Sequence, residues 1–289
     1  MGRERCQELG RRMGFSGRFL AATAGTWLLC GGAVPVHALE SPWTQAPQSS
    51  VRLIAGAPAV GATELSGGVE IRLTRGWHTY WRYRGDAGVP PRFEWAASDN
   101  VAGIELQWPA PVRIVTQAAM SIGYEDGVLF PLRIRPQDPK RPVRLELKLE
   151  FAVCERLCIP AEARVRLEVP PGVGDVPLLA QADARVPRRV RLGEAPGLAI
   201  LSVRLERGPT PRALVEAKVP AGRDPDLFAE GPTEAWALPL PEKLPAEAGR
   251  VRFAIPLEGA PSGADPIPSK LRLTLVAGAE AIEVDAPLD

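Results

Sequence analysis

From Val143 to Leu167 apolar and polar residues alternate with a period of two, broken only inside F-A-V-C-E-R-L-C-I-P, Phe151 to Pro160. Leu145, Leu147, Leu149, Phe151 and Val153 share one parity, and Arg144, Glu146, Lys148 and Glu150 the other. Ile159, Ala161, Ala163, Val165 and Leu167 resume the odd parity. Successive side chains of a strand point to opposite faces, so this pattern predicts two antiparallel strands covered on one side. Cys154 and Cys158 are even. Both sulfurs are therefore expected off the core face, on the more exposed face or at its rim.

Spacing adds a second constraint. Fully extended residues four apart are about 13 Å from each other, whereas a disulfide needs Cα atoms within roughly 4.4–6.8 Å. The chain must bend at Glu155-Arg156-Leu157. A three-residue hairpin loop would set Cys154 opposite Cys158, with Pro160 where a missing N–H is tolerated. A single helical turn is the second choice, given the β-rich flanks. A bond across so small a loop restrains the unfolded chain little, so the spacing favours chemistry over stapling. On the residues alone, a structural disulfide, a Cu(I) or zinc site on Cys154 and Cys158, and a reversible dithiol all remain open. His78 and Met120 are the few further soft ligands beyond the first 38 residues. No general base is evident for a hydrolytic cysteine.

The compartment bears on that choice. The first 38 residues read as a signal peptide: Arg3, Arg5, Arg11, Arg12 and Arg18, an apolar run from Phe19, and V-H-A at Val36–Ala38 as a cleavage site. A membrane-anchoring helix is the alternative, and Arg11-Arg12 and Cys30 only loosely fit twin-arginine or lipoprotein signals. Export to the periplasm places the remaining two cysteines in an oxidising compartment. Without the leader, the whole-chain charge of +1 becomes about −2, which gives no long-range attraction to nucleic acid.

The remaining sequence reads as β nearly throughout. Val69, Ile71 and Leu73 alternate with Glu70, Arg72 and Thr74, and 31 prolines punctuate the chain. This rhythm predicts sandwiches rather than α/β units. A seam at Val169–Pro177 divides a first domain, residues 39–172, from a second β-rich, sandwich-like domain, residues 173–289. Strands are expected in the latter at 198–205, 212–219, 250–257 and 271–276. It shows no cysteine, histidine or polar cluster, so its expected role is to position or protect the first domain.

G-W-H-T-Y-W-R-Y-R-G-D-A-G-V-P-P-R-F-E-W, Gly76 to Trp95, contains six aromatic residues. Aromatic rings are normal sheet packing, but here both parities of Trp77–Tyr83 carry them. Trp77, His78, Tyr80, Trp81 and Tyr83 are candidates to shield a reactive sulfur pair or to form a docking surface.

These residues, with L-Q-W-P-A-P (Leu106–Pro111), I-G-Y-E-D (Ile122–Asp126) and V-C-E-R-L-C-I-P, resemble the N-terminal periplasmic region of thiol:disulfide interchange proteins of the DsbD type, in particular the ScsB-like branch. The resemblance implies an immunoglobulin-like sandwich whose cysteines, here Cys154 and Cys158, cycle between disulfide and dithiol without a cofactor. It implies electron transport from a membrane-embedded thiol reductase to periplasmic thioredoxin-like or disulfide isomerase-like proteins. A copper-handling or protein-binding module without catalysis is the alternative. Neither a multi-helix membrane section nor a C-x-x-C motif occurs in the 289 residues.

Overall fold

The computed structural model describes residues 39–56, 64–85, 88–115, 120–194, 196–247, 250–265 and 267–288. The signal-peptide reading lies outside them.

Among the described residues, twelve strands form the first half: β1 (Leu39–Glu40), β2 (Thr44–Ala46), β3 (Ser49–Gly56), β4 (Leu65–Leu73), β5 (His78–Tyr80), β6 (Arg92–Glu94), β7 (Val101–Leu106), β8 (Val112–Val115), β9 (Met120–Glu125), β10 (Gly127–Pro136), β11 (Val143–Cys154) and β12 (Cys158–Val169). One sheet runs β1-β3-β4-β10-β7, with β2 on β3. The other runs β12-β11-β5-β9-β8, with β6 also on β11. Their facing sides share one core, where Leu53, Val69, Phe130 and Leu132 of the first sheet meet Leu145, Leu149 and Val153 of the second. Phe130 receives the rings of Phe93, Trp108 and Tyr124 edge-on at 5.2–5.4 Å, the geometry the aromatic quadrupole favours.

The parity argument holds along the whole hairpin. Every odd residue of β11 is buried, and the register runs without a shift from Val143↔Val169 to Cys154↔Cys158. The bend lies at residues 155–157.

After β12 the chain turns into α1 (Pro177–Asp183), which the β-only expectation did not include. Its Leu179 packs with Val176 against Ile54 on the outer face of the first sheet. Arg133 and Asp183 form an ion pair at 2.9 Å beside it. The helix is short and is held by this apolar contact rather than by a side-chain cap.

The second half has β13 (Arg188–Arg189), β14 (Ala199–Glu206), β15 (Arg212–Lys218), β16 (Pro225–Glu230), β17 (Glu242–Glu247), β18 (Arg250–Pro256), β19 (Lys270–Ala277) and β20 (Glu280–Pro287). They form two four-stranded sheets, β13-β20-β19-β16 and β14-β15-β18-β17. The all-β, sandwich-like expectation is met. Strands β13, β16, β17 and β20 add to the four that the sequence pattern predicts.

The two halves share buried surface through residues 81–83. Trp81, fully buried, lies 6.0 Å from Phe228. Arg82 binds the Glu230 carboxylate through Nε and Nη2 and also reaches Glu283. The Leu238 N–H donates to the Tyr83 hydroxyl at 2.6 Å. The second half thus does bring polar groups together, contrary to the sequence reading. They converge on a residue of the first half.

Candidate redox site

The four strands β12, β11, β5 and β9 place one row of side chains on the face opposite the core. Cys158 pairs with Cys154, Cys154 with His78, and His78 with Glu125. Directly opposed residues in an antiparallel ladder point to the same side, so these four lie in line. Thr79, Trp81 and Val153 point the other way and are fully buried.

Cys154 and Cys158 form a disulfide, with Cα atoms 4.2 Å apart. Their environments differ. Cys158 is exposed at the hairpin tip, beside Leu157, which is 78% exposed. Cys154 is only 2% exposed. The expectation that both sulfurs would be accessible is corrected for Cys154: the non-core face is itself covered there, by Tyr80 and Ala152.

Tyr80 is the cover. Its hydroxyl lies 2.9 Å from the Cys154 Sγ and 3.1 Å from the Cys158 Sγ. A disulfide sulfur carries no hydrogen, so the phenol must be the donor. Burial raises the Tyr80 pKa, which keeps that proton in place. His78 stands edge-on to the Tyr80 ring at 5.6 Å and is 5% exposed. Burial lowers its pKa, opposed by the Glu125 carboxylate.

Close approach of β9 to β5 sets this geometry. A Cβ at Gly123, opposite Tyr80, would lie 2.0 Å from the Thr79 carbonyl oxygen. On the other flank the Thr79 hydroxyl donates to the Ala152 carbonyl at 2.9 Å, tying β5 to β11.

The structure therefore divides the aromatic segment by parity. His78 and Tyr80 adjoin the sulfurs. Trp81 and Tyr83 are buried toward the second half, and Trp77 packs partly buried against the main core. Glu125 was not singled out from the sequence. It sits within the I-G-Y-E-D motif, but only the strand register puts it beside His78.

Among the described residues no group of three or more His, Cys, Asp and Glu side chains could hold a metal ion. A cavity of about 1120 Å³ lies between the halves and is lined by Arg84, Pro91, Pro160, Glu162, Pro232 and Arg272 among others. It includes neither cysteine, although Pro160 brings one wall within two residues of Cys158.

A sandwich with a hairpin-tip disulfide, one sulfur open and the other under a tyrosine, defines a class of domain suited to thiol–disulfide exchange. Residues 50–170, the segment bearing the aromatic run and both cysteines, match the family described as "Thiol:disulfide interchange protein DsbD, N-terminal". The chain is also similar in fold to the crystal structure of the N-terminal periplasmic domain of ScsB from Proteus mirabilis. The TM-score is 0.68 at 20% identity, covering 87% of this chain and 99% of that one. No curated protein matches the chain significantly.

Proposed function

We propose that this chain is a periplasmic thiol–disulfide exchange module, passing electron pairs from a membrane thiol reductase to periplasmic thioredoxin-like or isomerase-like partners through Cys154 and Cys158. The asymmetry of the two sulfurs carries this reading. Exposed Cys158 is the sulfur that a partner can reach, and Cys154 is the one that resolves. In the reduced protein the Cys158 thiolate attacks a partner disulfide, forming a mixed disulfide and releasing one partner sulfur as thiolate. Cys154 then attacks the Cys158 Sγ, the intramolecular bond forms, and the second partner sulfur leaves. The partner has gained two electrons and the pair has lost them. Reduction by the membrane donor is the reverse sequence.

Tyr80 serves as the shield that small thiols must displace, while exposed Leu157 offers an apolar contact beside Cys158 for a docking protein. The first domain, residues 39–172, takes an immunoglobulin-like arrangement, and residues 173–289 form a second domain that anchors it. Family and fold likeness support the reading, as does the small ring that the disulfide closes, which makes it a poor staple.

The test is trapping. In a chain carrying Cys6→Ser and Cys30→Ser, Cys154→Ser leaves exposed Cys158 and should accumulate mixed disulfides with an oxidised thioredoxin-like protein. Cys158→Ser should accumulate far less. Equal trapping by both, or none by either, contradicts the assignment.

A further inference from the structure

The row Glu125, His78, Cys154, Cys158 holds a feature that shielding does not explain. We propose that His78 is the proton acceptor for Cys154, taking its Sγ–H proton so that this covered cysteine can resolve the mixed disulfide at Cys158. The inference rests on the exchange reading above and names a further residue for it.

Geometry comes first. Directly opposed side chains of an antiparallel pair have Cβ atoms about 4.5–5.5 Å apart. The imidazole of His78 therefore neighbours the Cys154 side chain on β11 and the Glu125 carboxylate on β9. The same face also carries Tyr80 on β5 and Cys158 on β12, and farther along β11 and β12 it carries Lys148, Glu150 and Glu162. His78 is 5% exposed. In the disulfide form the Cys154 sulfur has no hydrogen to offer; reduction creates an S–H beside the imidazole.

Chemical need is the second strand. Burial disfavours a thiolate, and Cys154 has almost no contact with water that could carry its proton away. Tyr80 cannot serve, because burial holds its own proton on. His78 can: burial keeps its ring neutral, and Glu125 favours the imidazolium once formed.

The step balances. The Cys154 proton moves to His78, the thiolate attacks the Cys158 Sγ, and the Cys154–Cys158 bond forms as the bond from Cys158 to the partner breaks. The partner leaves as a thiolate, and the imidazolium returns its proton to solvent. Two electrons end on the partner, which supplied the oxidising disulfide.

The test uses the full chain with Cys6→Ser, Cys30→Ser and His37→Gln, leaving one cysteine pair and one histidine. The reduced protein is mixed with an aromatic disulfide, and release of the second aromatic thiolate reports attack by Cys154. With His78→Gln that second phase should slow at least tenfold near pH 7. The gap should narrow as pH rises, because hydroxide then removes the Cys154 proton without the imidazole. Without any substitution at position 78, the imidazole proton resonance should titrate at a different pH in the reduced than in the oxidised protein, because the two sites are coupled. Superimposable pH profiles for the two chains overturn the proposal. So does an imidazole that titrates identically in both redox states, a result that needs no variant to fold. A pair that never cycles with any disulfide overturns the exchange reading, and this inference with it.

Discussion

Arg82→Met should weaken the whole β assembly more than any exposed charge change. The Arg82 side chain is 17% exposed, Glu230 13% and Glu283 7%. Burial opposes the guanidinium charge, but hydrogen bonds and charge from Glu230 and Glu283 outweigh it and hold the pKa above its usual value. Removing one member of a buried pair costs about 3–5 kcal/mol, because the other charge stays uncompensated. Glu283 would keep Arg189 at 3.2 Å and Arg272 at 3.9 Å. Glu230 would keep no ion-pair partner among the described residues, but it borders the large cavity and can turn toward water. One orphaned carboxylate with partial access to solvent sets the loss near 3 kcal/mol. That is about a hundredfold in the folding equilibrium, and roughly 6–12 °C in Tm for a chain of this size. Urea unfolding followed by tryptophan fluorescence measures it, since Trp81 lies at the same interface. Arg82→Met with Glu230→Gln should recover part of the loss. A loss below about 0.5 kcal/mol, the value of an exposed pair, would refute the view that this contact joins the two halves.

Two further outcomes follow from the covered sulfur. Tyr80→Ala should speed reduction of the disulfide by dithiothreitol on the order of tenfold, or about 1.4 kcal/mol of barrier, while Tyr80→Phe, which keeps the ring, should change it less. Equal rates in all three proteins would remove the shielding role. Gly123→Ala forces a methyl against the Thr79 carbonyl and should destabilise the fold by about 3 kcal/mol in urea titration. It should also accelerate reduction, because β5 carries Tyr80.

What could be read from the sequence was whatever depends on local periodicity. Odd parity from Leu145 to Leu167 placed the core face, and a three-residue gap placed Cys154 opposite Cys158. Burial of Cys154 was not legible, because its cover comes from Tyr80, 74 residues earlier. Parity tells which face a side chain takes, not what packs on that face. The same limit hid the role of His78 and Glu125, which meet only through the register of β5 with its two neighbours. It also left Trp81 and Tyr83 among the possible shields, although both are odd and lie on the inward face. Arg82 and its carboxylates are 148 and 201 residues apart in sequence, beyond any pattern along the chain. Strand β16, P-D-L-F-A-E, is hidden in the sequence pattern because its proline and acidic residues mask a short apolar core, Leu227-Phe228-Ala229.

The central claim is that Cys154 and Cys158 exchange electrons rather than hold the fold together. Equilibration of the chain carrying Cys6→Ser and Cys30→Ser in graded glutathione buffers, with alkylation of free thiols, measures this directly. The expected result is one reversible two-electron transition at a potential above roughly −300 mV, with the folded β signal unchanged across it. A pair that stays oxidised below that potential, or whose reduction unfolds the protein, would contradict the account.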